Sequence, residues 1–305
     1  MSPPAGGCVR DNSGLAGMRL IASVFNKPGR RHGVAEFLPT SADDVWLWAA
    51  EKEITAALIA RRLRFEGGTP SVAFGCICTA AHLRKAGFAS ALVKAVCQRY
   101  QKEVYAMAIL WAGAELLGFY QRLGFISGFQ DEYCEVRAVA LARQDAGELN
   151  RRKLDACDHA GFEQLRLQFA RRPAAGHDHG FVLRTLTARR WEGINPGFPW
   201  CPQLEVVFAG TETAPGFYGV VGHGEGTATI LEFVGNATQF GRAVAWAQSA
   251  FPDTPVKYNA TAPELLEHLN AVEVVERQPS LFSMRCPLAG PATSVPPLLT
   301  WLDRV

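Results

Sequence analysis

The sequence predicts an α/β (α+β) fold: a mixed, mostly antiparallel sheet flanked by helices, laid down twice along 305 residues. Three observations carry this. Residues 45–79 read as three successive strands joined by short polar turns. The third strand then feeds through a basic, glycine-containing turn into an amphipathic helix ending near Tyr100. From Leu204 onward the order meander, helix, strand, helix, strand returns.

The elements follow from local pattern. Leu15, Met18, Ala22 and Phe25 share one face of a helix that Pro28 and Gly29 end. Val45–Ala50 and Ile54–Phe65 read as strands, separated by the charged turn Glu51-Lys52-Glu53. Glu66-Gly67-Gly68-Thr69-Pro70 turns the chain into a third strand. In that strand, 71–79, alternation sets Val72, Phe74, Cys76 and Cys78 on one face and Ala73, Gly75, Ile77 and Thr79 on the other. Ala89, Leu92, Val93, Val96, Cys97 and Tyr100 then recur at helical spacing. The apolar run Val104–Trp111 reads as a buried strand, Ala112–Gly118 as the start of a short helix, and 133–142 as a closing strand.

The turn Arg84-Lys85-Ala86-Gly87-Phe88-Ala89 suits a phosphate group. A strand passing through such a turn into a helix leaves the first helical N–H groups unpaired. With the helix dipole they favour an anion.

The spacing Arg84-x-x-Gly87-x-Ala89 resembles the acyl-CoA pyrophosphate loop of the GNAT N-acetyltransferase superfamily. A second block, Tyr120-x-x-x-Gly124-Phe125, is similar to the segment that follows the fifth strand in that superfamily. The stretch LWAGAELLGFYQRLGF is close to the version in Eis-like acetyltransferases, which carry tandem GNAT domains. The resemblance covers roughly residues 15–145 and implies an acetyl-CoA-dependent N-acetyltransferase acting on a primary amine by direct attack. It implies that the backbone of Ile77, Cys78 and Thr79 pairs with the pantetheine arm. It implies that the N–H groups of Arg84, Lys85, Ala86, Gly87, Phe88, Ala89 and Ser90 hold the pyrophosphate. Tyr120 then acts as general acid toward the leaving thiolate. One departure is visible: members often have Asn seven residues before that tyrosine, where this chain has Gly113. The general base is left open among Glu51, Glu53 and Glu66. The competing reading is a non-catalytic acyl-CoA-binding sensor or scaffold of the same fold.

The expected organisation is a flexible tail over 1–14, a GNAT domain over 15–145, a polar linker over 146–154 and a second, degenerate GNAT-like domain over 155–305. In the second half, a helix is expected from Asp155 to Arg171, and Asn236-x-x-Gln239 forms a capping-box-like helix start. The turn there, Gly235-Asn236-Ala237, has no basic residue and no counterpart of Arg84–Ala89. Acyl-CoA binding is therefore expected in the first half alone.

Composition bounds the rest. Apolar residues make up 48% and charged residues 20%, with 31 basic against 29 acidic and a net charge of +2. That balance offers no field for nucleic acid or an anionic membrane, so neither is expected as a partner. The expected partner is a small-molecule or peptide amine acceptor, with homo-oligomerisation left open. Eight cysteines include no Cys-x-x-Cys pair, and Cys76 and Cys78, two apart on a strand, have poor disulfide geometry. They read as reduced thiols of a cytoplasmic protein. His177-Asp178-His179 lacks a third metal ligand at suitable spacing, and no metal is expected.

Overall fold

The computed structural model describes residues 5–13, 15–25, 43–50, 53–65, 70–140, 149–153, 182–183, 203–211, 214–224, 226–260 and 263–289. The fold is the expected mixed one. The chain divides into two compact units, 1–128 with 282–295 and 304–305, and 129–281 with 296–303.

The first unit is built on strands β1 (Gly7–Arg10), β2 (Asp43–Ala50), β3 (Glu53–Phe65), β4 (Ser71–Thr79) and β5 (Met107–Ala112). Neighbours pair antiparallel except β4 with β5, which run parallel. Helix α1 (Leu15–Phe25) covers one face with Met18 and Ile21, against Val45, Leu47, Ala57 and Ile59. Helix α2 (Phe88–Lys102) covers the other with Leu92, Val93, Val96 and Tyr100, against Trp46, Leu58, Val72, Phe74 and Leu110. The α1 stripe differs from the one expected: Leu15 and Phe25 are exposed, and Gly17 and Ile21 join Met18 and Ala22 inside.

Two sequence expectations are corrected at the start of the chain. Residues 7–10, expected in a flexible tail, form an edge strand, because Cys8 packs on the α2-side core and Arg10 ion-pairs with the buried Asp44. Asp44 is 3% exposed and also accepts from Arg62 (2.8 and 3.0 Å) and from Tyr100 Oη (2.5 Å), tying β1, β2, β3 and α2 together. The fifth strand begins at Met107 rather than Val104, which is exposed in a turn at φ 64°.

The second unit repeats the plan. β7 (Asn150–Lys153), β9 (Gln203–Thr211), β10 (Ala214–Gly224) and β11 (Thr227–Val234) pair antiparallel in that order; β12 (Val256–Ala260) adds parallel to β11. β8 (Val182–Leu183) is a two-residue strand. Helix α4 (Ala237–Ala250) packs Phe240, Val244 and Ala247 into the core with Val207, Phe217, Ile230 and Tyr258. It starts on the anticipated capping box: Asn236 Oδ1 accepts from Gln239 N, and Gln239 Oε1 accepts from Asn236 N. A 3₁₀ segment over 263–271 stands where a helix was expected. The expected helix at 155–171 and the His177-Asp178-His179 cluster lie outside the described residues.

The sixth strand of each unit is the least local feature. β6 (Ile126–Ala138) was expected over 133–142, closing the first sheet; its residues 132–136 instead pair antiparallel with β12. β13 (Val272–Pro287) was expected as the last strand of the second half; its residues 282–287 pair antiparallel with β5. Hydrophobic periodicity marks a strand and its faces but not its partner, so the exchange was invisible to pattern reading.

Candidate functional site

The site begins with a fault in β4. Its register with β3 runs Ala60↔Phe74 and Ile59↔Gly75, then resumes at Ala57↔Cys78. Cys76 and Ile77 thus stand against the single residue Leu58. This is a β-bulge, and Cys76 takes φ 51° to make it. The extra residue switches faces. Val72 and Phe74 point to the α2 side, but Cys76 and Cys78 pack with the α1-side cluster, while Ile77 lies on the α2 side. The uniform alternation expected for 71–79 is therefore overturned. One added residue inverts every later side chain.

The bulge sits where β4 and β5 part. Their parallel pairing is confined to Ser71↔Met107, Val72↔Ala108 and Ala73↔Ile109, although β4 continues to Thr79 and β5 to Ala112. Beyond Ala73 the β5-side edge of β4, including Ile77, Cys78 and Thr79, has no strand beside it among the described residues. That edge can accept an extended ligand through backbone hydrogen bonds, as an added strand would. Cys78 is 4% exposed, and burial pushes its thiol up to about 12. It stays protonated at neutral pH, which is the state of a packing residue rather than a nucleophile.

From Thr79 the chain passes a single 3₁₀ turn (Ala81–Leu83) and reaches the basic loop. Arg84, Lys85 and Ala86 are exposed; Gly87, Phe88, Ala89 and Ser90 are half-buried. Gly87 is the N-cap of α2 at φ 88°, and no side chain caps the helix. A glycine is required there because φ is left-handed. Among the described residues a Cβ at Gly87 would meet nothing within 4 Å, so the space beside this residue is open. The first N–H groups of a 15-residue helix lie at this end, directly after the exposed Arg84 and Lys85 in the chain.

Tyr120 lies in α3 (Leu117–Gln121), which follows β5 and a 3₁₀ turn at Ala114–Leu116. The Tyr-x-x-x-Gly-Phe spacing has a physical basis here. Phe125 N donates to Tyr120 O (3.1 Å) and Gly124 N to Gln121 O (3.0 Å), with Gly124 at φ 93°. This is a Schellman cap, and the accompanying apolar contact is Tyr120 against Phe125, ring centroids 5.9 Å apart. The ring is therefore fixed from three sides, by the cap, by Phe125 and by Phe119 at 4.9 Å. Tyr120 is 7% exposed, and burial pushes its hydroxyl up to about 12. Among the described residues that hydroxyl has no hydrogen-bond partner.

Of the three carboxylates considered as bases, Glu53 alone is described. It heads β3, exposed, with Oε1 3.0 Å from His82 Nε2. Glu51 and Glu66 lie outside the described residues. At Gly113 the missing side chain is explained by its neighbour: the Glu115 carboxylate folds back into the place a Cβ would take.

The second unit has a comparable strand–turn–helix with a capped helix start. β11 carries its own bulge, Val220↔Glu232 followed by Val221↔Ile230, and pairs with β12 over three residues only. The turn before α4 is sealed by its own side chains. The capping box occupies the helix N-terminus. His268, 2% exposed, bridges Gly235 O (Nε2, 3.0 Å) and Tyr258 Oη (Nδ1, 2.9 Å), and its ring stacks on Phe240. A Cβ at Gly235 would lie 2.9 Å from Phe217 and Phe233, against open space at Gly87. A cavity of about 800 Å³ does open in this unit, lined by Gln248, Phe251 and Pro255, and no motif residue borders it.

Sequence reading missed the bulge and the Asp44 network. A signal for the bulge existed in Gly75-Cys76, where a glycine interrupts the strand pattern. Asp44 gave none, because its partners lie 18 to 56 residues away.

Known proteins share this fold. Residues 16–127 match the family model described as Acetyltransferase (GNAT) domain. No curated protein matches the sequence. Among solved structures, a probable N-acyltransferase from Enterococcus faecalis superposes with TM-score 0.64 at 14% identity, over 92% of this chain and 72% of that one. Eis1 from Mycobacterium abscessus superposes with TM-score 0.57 at 18% identity, over 92% and 74%. A tandem GNAT protein from the clavulanic acid biosynthesis pathway does so with TM-score 0.52 at 13% identity, over 93% and 99%. At these identities the likeness is one of fold.

Proposed function

We propose that this chain, whose residues 16–127 match the acetyltransferase (GNAT) domain model, transfers the acetyl group of acetyl-CoA to a primary amine by direct attack. The observation that carries the reading is the coincidence of two openings: the parting of β4 and β5 after Ala73↔Ile109, and the uncapped α2 N-terminus at Gly87.

In this reading the pantetheine arm pairs with the free edge of β4 at Ile77–Thr79. The pyrophosphate rests on the N–H groups of Arg84 to Ser90, with the Arg84 and Lys85 cations beside it. The thioester then lies near the bulge, where a backbone N–H beside Cys78 polarises its carbonyl. The neutral amine attacks the carbonyl carbon, the C–S bond breaks, and the amine nitrogen gives up one proton as the thiolate gains one. Tyr120 is the donor to sulfur. At about 12 it stays protonated at neutral pH, well above a thiol's value of about 8.5. Its contribution is a hydrogen bond to sulfur as charge develops; the proton it passes on is replaced by the one the amine gives up, so the net transfer runs from amine nitrogen to thiolate.

The side chains that fill the turn before α4 favour assigning one acetyl-CoA to each chain. The alternative of a non-catalytic acyl-CoA sensor is favoured by one observation, the Glu115 carboxylate in place of a side chain at Gly113. Calorimetry with acetyl-CoA and thiol release in the presence of amines separate the two. Binding at one site with turnover is expected. Binding without release over a broad amine panel would establish the sensor, and no binding would remove both.

A further inference from the structure

The acceptor must reach the thioester from one face of the first unit's sheet. The α2 face is filled at that level: Phe74, Leu92, Val96, Leu110, Tyr120 and Phe125 belong to one core. The other face is different. Ile109 of β5 pairs with Ala73 of β4 on one side and with Arg285 of β13 on the other. Met284 and Cys286 enter the α2-side core, so alternation turns Ser283 and Arg285 to the opposite face, together with Ile109 and Trp111. Arg285 therefore stands one strand from Ala73↔Ile109, the last pair before β4 and β5 separate. Trp111 and its partner Ser283 follow where the opening widens.

Three facts mark Arg285 as more than a solvated surface cation. Its Nε is buried without a hydrogen-bond partner. Among the described residues no carboxylate pairs with its guanidinium. Its surroundings are half-buried and include an indole, so an ion pair formed there is screened less than one in open water. A planar fork with an unused buried donor is suited to a carboxylate.

We propose that the acceptor is an amine that also bears a carboxylate, anchored by Arg285 with Trp111 and Ser283 alongside. This rests on the acetyltransferase reading above and adds its substrate class. The test uses matched amines that differ by the carboxylate: lysine against 1,5-diaminopentane, and 4-aminobutyrate against butylamine, each followed by thiol release with acetyl-CoA. The wild-type protein should favour the carboxylated member of each pair by at least tenfold in kcat/KM. A charge-assisted hydrogen bond lost from a partly buried site corresponds to roughly tenfold to hundredfold. Arg285→Met should therefore collapse that preference by such a factor, and Arg285→Lys should restore part of it. A urea titration of each variant confirms that it is folded. If both members of a pair react equally, if the decarboxylated amines react faster, if no pair reacts, or if Arg285→Met keeps the preference, the proposal is overturned. Acetyl-CoA calorimetry and thiol release over the broad amine panel report independently on the acetyltransferase reading, which fails if acetyl-CoA does not bind or if no amine of that panel releases thiol.

Discussion

Replacing Gly87 tests the cofactor site at its narrowest requirement. The residue caps α2 at φ 88°, with nothing within 4 Å of a Cβ built there. An L side chain at that φ costs about 1–2 kcal/mol whatever the space. Because the space is open, Gly87→Ala should lose no more than this in stability, read as a urea midpoint shift. Gly87→Glu adds a carboxylate in front of the helix N-terminus. At an assumed ~5 Å from a pyrophosphate charge, the repulsion is about 0.8 kcal/mol at ε 80 and about 3 kcal/mol at ε 20. The strain is present with and without ligand, so the acetyl-CoA affinity of Gly87→Glu should fall by the repulsion alone, roughly 0.8–3 kcal/mol, or about fourfold to 150-fold. Calorimetry with acetyl-CoA reads this directly, with the urea midpoint separating weak binding from poor folding. A folded Gly87→Glu protein that binds acetyl-CoA within threefold of wild type would show that the pyrophosphate does not lie on α2.

Three further outcomes are expected. Tyr120→Phe should lower kcat by roughly 10²–10⁴-fold with little change in acetyl-CoA affinity; because Tyr120 titrates near 12, the wild-type rate should rise with amine deprotonation and show no falling limb below about pH 10, and full turnover by the Phe variant would remove the acid role. Asp44→Ala should destabilise the protein by about 2–4 kcal/mol in urea, somewhat below the usual cost of opening a buried pair because Arg10 and Arg62 can turn to water; a loss under about 1 kcal/mol would mean the network is not structural. Burial raises Cys8 to about 11 and Cys78 and Tyr120 to about 12, so the folded state keeps protons that the unfolded chain releases from about pH 9. Stability should be full below that pH and fall as pH rises toward 12, and a urea midpoint unchanged between pH 8 and 11 would contradict those burials.

Much of this molecule was legible in its residues. The strand–turn–helix at 71–100 is local chemistry: period two, then a glycine with basic neighbours, then period 3.6. The spacing of Tyr120, Gly124 and Phe125 encodes a helix cap within six residues, and Asn236 with Gln239 encodes another within four. Such features depend on contacts between near neighbours in the chain, so sequence determines them. The lack of a basic loop before the second half's helix was also readable.

What tertiary structure alone decided depends on distant partners. The bulge at Cys76 becomes visible only when β3 supplies one residue opposite two, and it moves Cys76 and Cys78 to the other face. Which strand completes each sheet was equally hidden, since Met284 and Cys286 carry the same apolar alternation whichever neighbour they find. That pairing brings Arg285 to within one strand of the parting β4 and β5, across more than 170 residues of chain. Hydrogen bonds across a sheet are indifferent to sequence separation, while patterns in a sequence record only which side of a strand faces the core.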